Sequence, residues 1–152
     1  MRLSFRLGLG LLLVVALAAG AAAGVRVKLE DVPKPAVKAV QERFAKATIR
    51  YVERETDGSY EFAMKEGDRL FDVGVTAEGK LLNIKEEITE DKVPKAVKEG
   101  LEKKYPGAKI VETEKVILLD GKKEKVTYEL KIKVDKKTLE VVLDETGKVI
   151  DE

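Results

Sequence analysis

Carboxylates and amines dominate the reactive side chains of this sequence. Its 152 residues hold 28 Asp and Glu and 29 Lys and Arg, with no histidine and no cysteine. Without imidazole, the usual general base and the commonest transition-metal ligand are missing. Without a thiol there is no thiolate nucleophile, and zinc, copper and haem iron lack their normal ligands. Beyond residue 23 the single serine is Ser59, in a turn-like stretch. Carboxylates acting as acid and base would need a cleft that raises one pKa, and no stretch predicts a buried pair. The expectation is therefore a protein that is not an enzyme and carries no cofactor and no metal.

Carboxylates can also capture cations. Glu86, Glu87, Glu90 and Asp91 gather in mid-chain, and calcium takes several oxygens held on a shaped loop. The spacing matches no such loop, and Lys85 and Lys92 flank the group. An envelope protein that binds or senses a small ligand or divalent cation is thus the alternative to a protein-binding module.

The elements that must carry these groups are written twice. Residues 32–49 read VPKPAVKAVQERFAKATI and residues 93–110 read VPKAVKEGLEKKYPGAKI. At an offset of 61, Val32, Pro33, Lys34, Ala47 and Ile49 meet identical residues. At an offset of 68, Tyr60, Glu61, Lys65, Val73, Gly79 and Lys80 do the same, so the second copy carries seven extra residues near Val116–Leu119. A duplication is the economical account. Val93, Val97, Leu101 and Tyr105 form one helical stripe, as do Ala36, Val40 and Phe44 in the first copy. Prolines open each helix, and Pro106-Gly107 stops the second.

The pattern then changes to period two. In KVTYELKIKV, residues 125–134, Val126, Tyr128, Leu130, Ile132 and Val134 alternate with charged residues or threonine, which reads as a strand with one wet face. Tyr60, Phe62 and Met64 repeat it, followed by 70–76, 80–86, 138–143 and 148–151. Asp57-Gly58 and Asp120-Gly121 are hairpin signals. The predicted fold is α+β: a tandem repeat in which a helix precedes about four antiparallel strands and packs on one face of the sheet. Residues 24–30 are a linker, 31–88 the first repeat and 89–152 the second.

The first 23 residues have a different character. Arg2 and Arg6 precede an apolar run from Leu7 to Ala19, and Ala21-Ala22-Ala23 stands before Gly24, the layout of a signal peptide cut between Ala23 and Gly24. The remainder has 27 basic and 28 acidic residues, a net charge of −1. That balance attracts neither nucleic acid nor an anionic membrane. A periplasmic or secreted protein is expected, with no stable membrane insertion after cleavage.

Val-Pro-x-x-Val, then Tyr105 to Ile110 (YPGAKI), then a hairpin ending in Asp144 to Ile150 (DETGKVI), resembles the PepSY-like, β-lactamase-inhibitor-like family. The resemblance covers 31–152 and is clearer in the second copy; the first has Ala45-Lys46 where the second has Pro106-Gly107. It implies tandem α/β repeats whose concave sheet face and loop tips plug an enzyme, and restraint of secreted or periplasmic peptidases. Those inhibitors rely on disulfides and aromatic-rich contact faces, and with no cysteine or tryptophan here their contact residues are not carried over. Strand alternation instead puts Arg50, Arg54, Glu61, Ala63, Lys65, Asp72 and Gly74, with Lys125, Thr127, Glu129, Lys131, Lys133 and Glu140, on the open face. Arg50, Glu61, Lys65, Asp72, Glu129 and Lys131 are the candidate contacts with an envelope hydrolase or peptidase. The loop tips at Asp57-Gly58, Gly67-Asp68 and Asp120-Gly121 are the other candidates.

Overall fold

A computed structural model describes residues 24–152. The proposed signal segment, with Ala23 of its cleavage site, lies outside the described residues. Nine strands and two α-helices follow in order: β1 (Val25–Val27), α1 (Lys34–Arg43), β2 (Thr48–Arg54), β3 (Tyr60–Glu66), β4 (Arg69–Val75), β5 (Leu81–Glu87), α2 (Lys95–Lys104), β6 (Lys109–Asp120), β7 (Lys123–Val134), β8 (Lys137–Asp144) and β9 (Val149–Asp151). A single 3-10 turn precedes each helix. Among the described residues no helix is long and apolar enough to cross a membrane.

The expected tandem repeat of helix-plus-four-strand units is overturned. Among the described residues all nine strands join one antiparallel sheet in sequence order, accompanied by two ten-residue α-helices. β1 opens the sheet ahead of α1 by pairing Val27 with Val52. β5 then pairs with β6 from Asn83↔Leu118 to Glu87↔Glu114, across the place where two units were to separate. The physical reason is the edge. An unpaired strand invites aggregation, and hydrogen-bonding β5 to β6 removes two edges at once. The apolar run Val116–Leu119 makes this seam: Val116 is buried, and Ile117 and Leu119 pack against the first core.

Both helices lie on the same side of the sheet. α1 presents Ala36 and Val40 to Phe62, Phe71 and Val73. α2 presents Val97 and Leu101 to Leu130, Ile132 and Val141. Pro33 and Pro94 stand at the N-caps, where the ring removes no intrahelical hydrogen bond. Phe44 and Tyr105 close the helices, their N–H groups donating to the carbonyls of Val40 and Leu101. Ten-residue helices are marginal alone, so these apolar stripes hold them in place.

Candidate partner-binding face

The side of the sheet away from the helices is built by register. One row across the strands reads Tyr51, Ala63, Asp72, Lys85, Val116, Thr127. A second reads Glu53, Glu61, Gly74, Asn83, Leu118, Lys125. A third, shorter row is Glu87, Glu114, Glu129, Val142. Side chains alternate between faces, so none of these points into the helix-side cores.

One expected member is misplaced. Arg54 pairs with Tyr60, a core residue, and so belongs to the helix side. The cause is a β-bulge between Ile49 and Tyr51, where Arg50 is the extra residue. A bulge shifts the alternation by one, turning Tyr51 and Glu53 outward instead. Arg50 itself is exposed, its guanidinium carbon 5.6 Å from the centre of the Tyr51 ring.

The other named residues divide into groups. Glu61 and Asp72 come together around Lys85, whose Nζ is 3.8 Å from a Glu61 carboxylate oxygen. Glu129 stands directly opposite Glu114, and Lys131 reaches Glu112 at 3.4 Å. Lys65 lies apart, exposed near the end of β3 between Thr48 and Leu70. Of the loop tips, Gly58 and Gly121 have positive φ, as tight hairpins need. Of the mid-chain acids, Glu86, Glu87 and Glu90 border one cleft without bringing their carboxylate oxygens together: Glu86 faces the helix side with Arg69 2.9 Å away, Glu87 faces the other side, and Glu90 and Asp91 sit in the 3-10 turn. Among the described residues, Glu53, Glu55 and Glu61 bring carboxylate oxygens within 4.8 Å of one another.

Three acidic pairs face each other across strands, Glu53 with Glu61, Glu87 with Glu114 and Glu114 with Glu129. Directly opposed like charges destabilise a sheet. Burial pushes the carboxyls of Glu61, Asp72 and Glu114 above their ordinary values, and the Lys85 ammonium pulls each part of the way back. Lys85 is thus the hub of the face, and sequence reading assigned it only to the flank of the mid-chain acids. The period-two run Asn83, Lys85, Glu87 was the available signal. Gly74 stands beside it: a Cβ there would lie 2.8 Å from Asn83 Oδ1, a buried atom with no hydrogen-bond partner, so a side chain at this position must displace the Asn83 amide. Chemically the face is a charge lattice that can accept hydrogen bonds from cations and amides.

The sequence profile of the family described as "Putative beta-lactamase-inhibitor-like, PepSY-like" matches residues 22–83 and again 77–151. A putative periplasmic protein from Bacteroides eggerthii has a similar structure, with a TM-score of 0.66 and 12% identity over 79% of this chain and 86% of that one. A BLIP-like protein from Bacteroides fragilis gives a TM-score of 0.62 and 15% identity over 77% of this chain and 82% of that one. No curated protein matches the sequence. At these identities the structures share the fold, while the double profile match spans nearly all of the described chain: this chain belongs to the PepSY-like family.

Proposed function

We propose that this chain is an exported, non-catalytic binding module, periplasmic or secreted, whose open sheet face docks on an envelope hydrolase or peptidase and restrains it. The observation that carries the reading is the gathering of Glu61, Asp72 and Glu114 around Lys85 on the face no helix covers. Half-buried carboxylates in opposition lower the stability of the free protein. A partner that supplies cationic or amide donors would relieve that cost on docking, and complementary charge would speed the encounter. Export is supported by the basic, apolar and alanine-rich start of the sequence and by the periplasmic description of the B. eggerthii neighbour. Inhibition is supported by the family description and the BLIP-like neighbour.

The test uses residues 24–152 against a panel of purified envelope peptidases and β-lactamases. Residual activity and direct binding are both measured. The reading expects at least one enzyme to be bound and inhibited. The double variant Glu61→Lys/Asp72→Lys should weaken that complex at least tenfold with its melting temperature still above 40 °C or so, in the usual range of folded domains. Binding of no enzyme, or equal binding by the variant, overturns it.

A further inference from the structure

The β4–β5 ladder stops early. Both strands are seven residues long, yet their pairing ends at Asp72↔Lys85, leaving Arg69–Phe71 and Glu86–Glu87 unpaired with each other. The orientation of the free groups follows from the neighbouring ladders. β3 and β4 join through a two-residue turn closed at Glu66↔Arg69. In such a hairpin the closing pair is hydrogen-bonded and alternate pairs follow suit, so Arg69 and Phe71 bond to β3. Leu70 therefore turns its N–H and C=O toward β5. On the other wall the Ile88 N–H donates to the Thr113 carbonyl on β6, and by the same alternation Glu87 turns its backbone groups toward β4. The two strand walls face each other without a ladder between them.

A cleft of about 730 Å³ opens at this place. Its lining has five carboxylates against two cations; Glu86 holds Arg69 and Lys131 reaches Glu112, which leaves Asp68, Glu87 and Glu90 against Lys92. The rest of the lining includes Leu70 and Val111, 49% and 52% exposed. Free strand edges, surplus negative charge and exposed apolar side chains converge in one opening.

We propose that this cleft takes an extended segment of a partner protein, with basic and apolar side chains in alternation, which adds main-chain hydrogen bonds to Leu70 and Glu87. Strand addition draws affinity from the backbone and specificity from alternate side chains. Three extended residues span about 10 Å, which matches the unpaired stretch of β4. Leu70 and Glu87 point to the same side of the sheet, so lysine or arginine side chains on that side lay their stems on Leu70 and their cations against Glu87 and Glu90, and the apolar ones point to the other side. The cleft adjoins the open face at the Asp72↔Lys85 pair but uses neither Glu61 nor Asp72.

Fluorescence polarisation on residues 24–152 tests the assignment with a labelled Lys-Val-Lys-Val-Lys peptide. The Glu-Val-Glu-Val-Glu peptide should bind at least tenfold more weakly. So should the basic peptide with both valine amides N-methylated, which keeps its charge but cannot pair as a strand. Glu87→Lys/Glu90→Lys should weaken binding at least tenfold at unchanged melting temperature, and Glu53→Gln, two strands away on the open face, should leave it within twofold. Equal binding of the N-methylated peptide, or of the Glu87→Lys/Glu90→Lys variant, overturns the proposal. So does concentration-dependent dimerisation abolished by that variant, which would give the cleft to a second copy of the chain.

Discussion

Gly100 in α2 sits on Gly147 in the β8–β9 turn so closely that a Cβ on Gly100 would collide with the Gly147 carbonyl oxygen. At the corresponding place in the first half, α1 carries Ala39. Its methyl would lie 3.4 Å from a Cβ built on Gly79 in the β4–β5 turn. α2 therefore rides lower on its sheet than α1, at the expense of a glycine in mid-helix.

Gly100→Ala should accordingly destabilise the protein. Helix propensity alone favours alanine by about 1 kcal/mol, but the collision is with backbone, and overpacking of this kind costs about 1–3 kcal/mol. A net fall in the melting temperature of ~2–6 °C is expected. Calorimetry showing a rise would mean that α2 can lift without loss.

The seam between β5 and β6 should respond asymmetrically. Ile117 packs against the first core, whereas Leu118 is 41% exposed on the open face. Ile117→Asp puts a charge into packed apolar surface and should cost about 2–4 kcal/mol. Leu118→Asp should change stability by less than about 1 kcal/mol. Urea unfolding of the two variants checks the difference, and equal losses would refute the assigned faces.

Stability should pass through a maximum in mild acid. Glu61, Asp72 and Glu114 hold protons more tightly in the folded chain than their ordinary values of 4.5, 3.8 and 4.5 allow, because of burial. Their contribution is fully present below those values and is lost as pH rises through the raised folded ones. Asp57, Asp144 and Glu152 act in the opposite sense, held low by hydrogen bonds from Ser59, Thr146 and Tyr105. What they contribute is present above the ordinary carboxylate range and is lost as pH falls through their lowered values. Melting temperatures measured from pH 3 to 8 should therefore rise and then fall on acidification. Glu61→Gln/Asp72→Asn should melt higher than the parent at pH 7 and show a shallower rise. A variant that melts lower at neutral pH would contradict this account.

Tyr105 offers a spectroscopic check on the C-terminus. Its hydroxyl donates to the Glu152 carboxylate, which also accepts from Lys104 Nζ at 3.1 Å. That hydrogen bond, with some burial, pushes the phenol up to about 12 from 10.0. Ultraviolet titration of Glu152→Ala should bring one tyrosine back toward its ordinary value, and an unchanged curve would show that the tie does not form in solution.

Much of the framework was legible in the order of residues. The alternation from Val126 to Val134, the stripe of Val93, Val97, Leu101 and Tyr105, and the Asp-Gly turns are local signals. The 3.6- and 2-residue periods of covalent chain geometry carry them, and β7, α2 and the hairpins appear where those signals stand. Glu61, Asp72, Glu129 and Lys131 were placed on the open face by the same period.

What the sequence left undecided was every relationship that spans distant residues. The bulge at Arg50, which sends Arg54 to the other face, depends on how β2 meets β3. The joining of β5 to β6, which replaces separate units with one sheet, depends on two edges more than 20 residues apart meeting in register. Lys85 becomes the hub of the face because β3, β4, β5 and β6 align Glu61, Asp72 and Glu114 around it. Periodicity determines which side of its own strand a residue occupies. Pairing and register decide its neighbours, and these are settled only when the sheet closes and buries its apolar face.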